Sequence, residues 1–239
     1  MIIDPGILTD RTGKVHTIFS VSLRLVHRLG YNCKVNQKIR QTIHPELAKA
    51  FKKLDSPQKI QAFLDSLPIN LEKGGQTLRS PLRVLQSKKA HCLEAALLAA
   101  AAFWWHRQRP LLLDLKTTKD DLEHVVALFK NRGHWGAISK TNHAVLRYRE
   151  PVYKTVRELA MSYFHEYFLE DGRKTMRSFS WPFDLRRYGT AWLTAKDFLW
   201  QIERDLDGSP HFAAANKNQI AKLRRADPIE IAASKLTEW

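Results

Sequence analysis

The segment SKKAHCLEAALLAAAAFWWHR, Ser87 to Arg107, is the part of this sequence from which the rest can be placed. A polar, lysine-bearing turn gives way at Cys92 to a long alanine-rich run. Leu93, Leu97, Ala100, Ala101 and Trp104 recur at helical spacing, and alanine is the best helix former. The pattern predicts a buried helix at about 91–107, with small side chains that let other elements approach its backbone. Cys92 falls at the start of that helix. The thiolate is the nucleophilic form of cysteine, and a free thiol with a pKa of about 8.5 has little of it at neutral pH. A helix N-terminus favours the anion through its dipole and unpaired N–H groups, and Lys88 and Lys89 add positive potential just upstream. The alternative is a packed thiol, since free cysteine is among the most buried residue types.

Downstream, PLLLDLKT reads as a strand at 110–117, EHVVALFK as a second at 123–130 and HWGAISK as a third at 134–140, with AVLRYR a candidate fourth. NRGH marks a hairpin turn in which Gly133 can take positive φ. His124 opens the second strand after the acidic turn KDDLE. A polar ring at the head of an apolar strand, close to a helix N-terminus, suits a base for the thiol. His91 is nearer in sequence, but adjacent helical residues point about 100° apart, which argues against its meeting Cys92. His134 and His143 are outside candidates. A base is normally oriented by a third group. If the turn is the two residues Arg132-Gly133, Asn131 pairs with His134, Val126 faces Ser139, and Ser139 lies diagonally beside His124 on the same face. One residue more or fewer in the turn sends Ser139 to the opposite face. Asn142 is then the fallback, and Asp120, Asp121 and Glu123 are nearby carboxylates that suit a solvated turn.

Upstream, Pro45 opens a helix in HPELAKAFKKL, and Ser56 and Pro57 cap and open a second that Pro68 stops. Residues 15–29 fit strand or helix equally. NLEKGGQTLRSP reads as loop. Beyond the strands, 155–169 suits a helix, RSFSWPFDLRRYG an irregular segment, TAKDFLWQIERDL a helix capped by Thr194, and PIEIAASKLTEW a last helix capped by Asp227. This gives an α+β chain in three parts: a basic N-terminal extension (1–45), a core (46–170) and a mainly helical C-terminal extension packed on that core (171–239).

The chain has 239 residues and a formal net charge of +15. Residues 11–45 carry seven Lys or Arg and no acid. Such a field attracts anionic partners nonspecifically, but no zinc spacing, Walker loop, GxGxxG or RNA-binding signature accompanies it. Two cysteines make no disulfide framework, and scattered histidines give no metal spacing. No apolar run is long enough to span a membrane, and the N-terminus lacks a signal-peptide core. A cytoplasmic protein without metal or cofactor is expected.

In order and approximate spacing, HCLEAALLAAAAFW, EHVVALF and HWGAIS resemble the transglutaminase-like group of papain-like cysteine proteins, in its small bacterial form. That group has a Cys opening a helix, a His opening a strand, and an aromatic and an Asp in a W-x-x-x-D pattern on the next strand. The resemblance spans roughly residues 80–145. It implies an antiparallel sheet behind the Cys helix, with Cys92 as nucleophile, His124 as base and Trp135 as the aromatic, where it could contact substrate or pack the hairpin. Ser139 stands where Asp is expected; papain-like enzymes with a neutral Asn show that a charge there is dispensable. RQRP replaces the usual Gly-x-Pro after the helix. The implied chemistry is thiol-dependent acyl transfer to water or an amine, or hydrolysis, on the amide of a peptide or protein. Two alternatives stay open: a degenerate member that binds peptide or protein without chemistry, and a basic nucleic-acid binder.

Overall fold

The structure is a computed structural model that describes residues 43–238. Most of the basic segment, and the ambiguous stretch at 15–29, lie outside the described residues. The helices α1 (Pro45–Lys53) and α2 (Pro57–Asp65) both start on proline, whose fixed φ and missing N–H suit the first helical position. The Ser56 hydroxyl accepts the Lys59 N–H at 3.3 Å. Their apolar stripes bury Leu47, Phe51, Ile60 and Leu64. The loop expected over NLEKGGQTLRSP ends before its last residue: Pro81 is the first residue of α3 (Pro81–Ser87). The helix α4 (Cys92–Trp105) is apolar on every side, and Leu93 through Trp105 are all buried. Such a helix needs cover all round, which α2, α3 and the sheet supply.

The sheet is built from β1 (Leu111–Lys116), β2 (His124–Asn131), β3 (His134–Ile138), β4 (Arg149–Tyr153), β5 (Ser178–Ser180), β6 (Phe183–Asp184) and β7 (His211–Ala213). Its order is β4-β3-β2-β1-β5-β7, with β6 also on β1, and every pair is antiparallel. The hairpin turn is Arg132-Gly133, with φ of 47° and 86°. Two successive positive φ values match the twist of the flanking strands. Asn131 therefore pairs with His134 and Ala127 with Ile138. Strand alternation splits the core in two. Phe129 packs on Phe103 of α4, ring centroids 5.3 Å apart. On the other face Leu113, Leu115, Val126 and Leu128 join Leu159 and Ala160 of α5 (Val156–Ser162).

Three expectations are corrected. The fourth strand is Arg149–Tyr153 and not 144–149; Pro151 lacks a ladder donor, so the strand sits at the sheet edge. The helix after it is cut to α5 and a 3-10 turn at Phe164–Glu166. Besides its helices, the segment 171–239 supplies β5, β6 and β7 to the same sheet. Strands of two or three residues are too short for alternation to show in sequence. Its helices are α6 (Trp200–Asp207), α7 (Lys217–Ala221) and α8 (Pro228–Ser234). Thr194 is not the α6 cap, which is Leu199. Among the described residues no helix is long and apolar enough to cross a membrane.

Candidate active site

Cys92 is the first residue of α4, and it is a partly exposed free thiol. Burial pushes its pKa up, but hydrogen bonds with His124 and then His91 outweigh that and hold the thiol well below its ordinary range. The helix dipole alone is worth about 0.3–1 kcal/mol, less than one pKa unit of about 1.4 kcal/mol. The two imidazoles are therefore the larger influence. Lys88 and Lys89 are exposed and line hollows other than those at the thiol, so they are not its cationic partners.

His124 is buried at the head of β2, its Nε2 2.7 Å from Ser139 Oγ. Ser139 has one hydroxyl proton, and it goes to the carbonyl of Leu146. The serine oxygen must then accept from His124, so the imidazole proton is on Nε2. That leaves Nδ1 unprotonated in the neutral ring and free to take the thiol proton. The Ser139 peptide is fixed by Gln61 of α2, whose amide accepts from its N–H at 3.1 Å and donates to its carbonyl at 2.7 Å. Leu146 holds a left-handed φ of 59°, a conformation that costs about 1–3 kcal/mol in a non-glycine residue. Its N–H donates to Glu166 at 2.6 Å, and Glu166 accepts from Arg149 at 2.5 Å. The imidazole is thus joined through a hydroxyl and the backbone of one residue, Leu146, to a carboxylate, the C=O and N–H of Leu146 belonging to successive peptide units.

His91 is the residue that sequence reasoning set aside. It is not helical: as the N-cap it has φ −90° and ψ 180°, so the 100° helical offset does not apply. Its ring hydrogen-bonds to Cys92, and its Nε2 donates to the Thr77 carbonyl at 2.8 Å. Burial works against its charge, but the bond and the negative charge of Cys92, together with the charge of Glu94, raise its pKa to about 9. The cue available in the sequence was its place just before the first helical residue. Glu94 is fully buried and holds this end of the helix. It accepts from Thr77 Oγ1 and Arg79 N, both at 2.9 Å, and from His91 N at 3.3 Å.

The other sequence candidates fall elsewhere. Trp135 lies near the turn, cross-strand from Lys130, whose ammonium sits 4.4 Å above its ring. It packs the hairpin about six residues along β2 from His124, roughly 20 Å away, and does not reach the thiol. Asn142 lines the cavity at His124, but the imidazole bond goes to Ser139. Asp120 pairs with Arg173, Asp121 accepts from Thr175, and Glu123 lies 4.0 Å from Lys116. His134 meets the Arg132 carbonyl and His143 the Ser234 carbonyl, each at 3.3 Å.

Two cavities meet at the thiol. One of about 500 Å³ is lined by Cys92, His91, Asp114, Glu123, Glu203 and Asp207. The other, about 420 Å³, is lined by Cys92, His91, His124, Leu146, Glu166 and Tyr167. Leu122, 86 % exposed, stands between them. A larger hollow of about 690 Å³ along α1 to α3, lined by Ala50, Leu54, Phe63 and Leu85, contains none of these groups. Oxygens of Asp114, Glu123 and Asp207 lie within 4.8 Å of one another and could hold a cation, but Lys116 and His211 already pair with them. Burial, and then the Glu123 charge, raises the Asp114 pKa to about 6. No family model matches this chain, and no curated protein sequence matches it significantly.

Proposed function

We propose that this chain is a cysteine acyltransferase or hydrolase with a papain-like, transglutaminase-like core, acting on a peptide or isopeptide amide. The observation that carries the reading is a depressed thiol at a helix N-terminus bonded to His124, whose far nitrogen is bonded to Ser139. Nucleophile, base and orienting group are the three parts a thiol acyl transfer needs. The thiol proton passes to imidazole before attack; Cys92 Sγ, as thiolate, then bonds to the carbonyl carbon as the C=O pair moves onto oxygen. Collapse restores the carbonyl and breaks the C–N bond, and the proton leaves with the amine. Water or a second amine then reverses the sequence on the thioester. The Cys92 N–H, free of an intrahelical partner at this position, can donate to the charged oxygen. A cavity on each side of the sulfur gives room to substituents on both sides of a scissile amide.

Iodoacetamide labelling of Cys92, resolved from Cys33 by peptide mass, tests the reading. The rate is expected to reach half its maximum well below pH 8, and His124→Ala to move that midpoint up by at least one unit, a tenfold loss of thiolate at any pH well below both midpoints. A profile centred near the ordinary thiol value of about 8.5, indifferent to the substitution, would sink the proposal.

A further inference from the structure

Tyr167 follows directly on Glu166, the carboxylate at the end of the His124–Ser139 chain of hydrogen bonds. Its ring is 2 % exposed and packs into the cluster beneath β1 and β2 with Leu115 and Val126. Its hydroxyl oxygen is buried and has no hydrogen-bond partner among the described residues, the Cys92 sulfur included. Tyr167 nonetheless lines the same cavity as Cys92, His91 and His124. A buried hydroxyl without a partner gives up the hydrogen bonds it had in water, and such groups are rare enough in folded proteins to require a reason. Here the reason is geometric. The residue borders the cavity of the nucleophile, close enough for the Cys92 charge to act on the phenol, and its hydroxyl is bonded to nothing there.

Building on the acyl-transfer reading, we infer that the Tyr167 hydroxyl donates a hydrogen bond to the substrate carbonyl oxygen as that oxygen becomes an anion. With the Cys92 N–H it completes a two-donor oxyanion site. A donor that is unsatisfied in the resting enzyme and satisfied only by the charged oxygen stabilises the intermediate selectively, which is the condition for raising the rate. Burial, followed by the charge of Cys92, keeps the phenol pKa well above its ordinary value, so the proton stays in place to be donated.

Tyr167→Phe removes the hydroxyl and keeps the ring. Two reactions of Cys92 separate its role: acylation by p-nitrophenyl acetate, which passes through an oxyanion, and alkylation by iodoacetamide, which does not. The variant is expected to acylate at least tenfold more slowly, with alkylation rate and pH midpoint unchanged and a thermal midpoint no lower than that of the parent chain. Equal acylation by parent and variant would overturn the Tyr167 role and leave the Cys–His reading intact. An equal slowing of both reactions would also overturn it, because the hydroxyl would then be acting on the sulfur. Failure of the parent chain to acylate at Cys92 would remove both proposals together.

Discussion

Ser139 shows how a side chain without charge can occupy a position where a carboxylate is expected. It accepts from the His124 imidazole and donates to the Leu146 carbonyl, so its neighbours demand one acceptor and one donor. An aspartate can meet only the first demand when ionised, and it would set its charge against the Leu146 carbonyl. An asparagine meets both, accepting with its oxygen and donating with its amide nitrogen. Ser139→Asn is therefore expected to keep more of the pH 6 alkylation rate of Cys92 than Ser139→Asp. Ser139→Ala should lose roughly tenfold, about 1.4 kcal/mol for one buried hydrogen bond. Alkylation rates of the three variants at fixed pH check the order, and Ser139→Asp surpassing the parent would contradict it.

At the level of elements, the β2–β3 hairpin positions the site, and Gly136 allows it to close. A methyl group at Gly136 would collide with the Phe129 ring and stand 2.8 Å from the Arg149 carbonyl. Gly136→Ala is expected to cost about 1–3 kcal/mol, lowering Tm by roughly 2–4 °C for each kcal/mol in a chain of this size; calorimetry measures it. The hairpin was legible in the sequence because Arg132-Gly133 admits the two positive φ values that fix its register, and that register places Ser139 beside His124. The starts of α1, α2 and α4 were legible because prolines and an abrupt polarity change mark them. His91 was misjudged because a helical rule was applied to an extended cap residue. The chain from Leu146 through Glu166 to Arg149 had no local signal, since it depends on one left-handed residue in a loop and on contacts between distant segments. The three short strands of the tail carried too little pattern to be read.

In the molecule as a whole, these strands make residues beyond 170 part of the sheet that backs the site, with Met176, Phe179 and Ala214 in the same buried cluster as Val126 and Leu128. The pairing of Cys92 with His91 has a whole-molecule consequence of its own. Taken alone, the depressed thiol stabilises the fold above its ordinary unfolded pKa of about 8.5, and that contribution is lost as pH falls through the folded value. The raised imidazole stabilises the fold below 6.5, and that contribution is lost as pH rises through about 9. Between about 6.5 and 8.5, wherever Cys92 stays ionised, the native pair holds one proton on nitrogen and the unfolded pair holds one on sulfur. The proton count is equal, so the two slopes cancel. His91→Asn leaves the sulfur contribution uncompensated, and the variant should gain stability with rising pH over that interval while the parent pair adds no slope. Urea melts at several pH values are expected to show the gap between them narrowing towards pH 9. Folding thus relocates a proton without exchanging one with the solvent, which arms the sulfur while making the fold insensitive, through this pair, to the acidity around it.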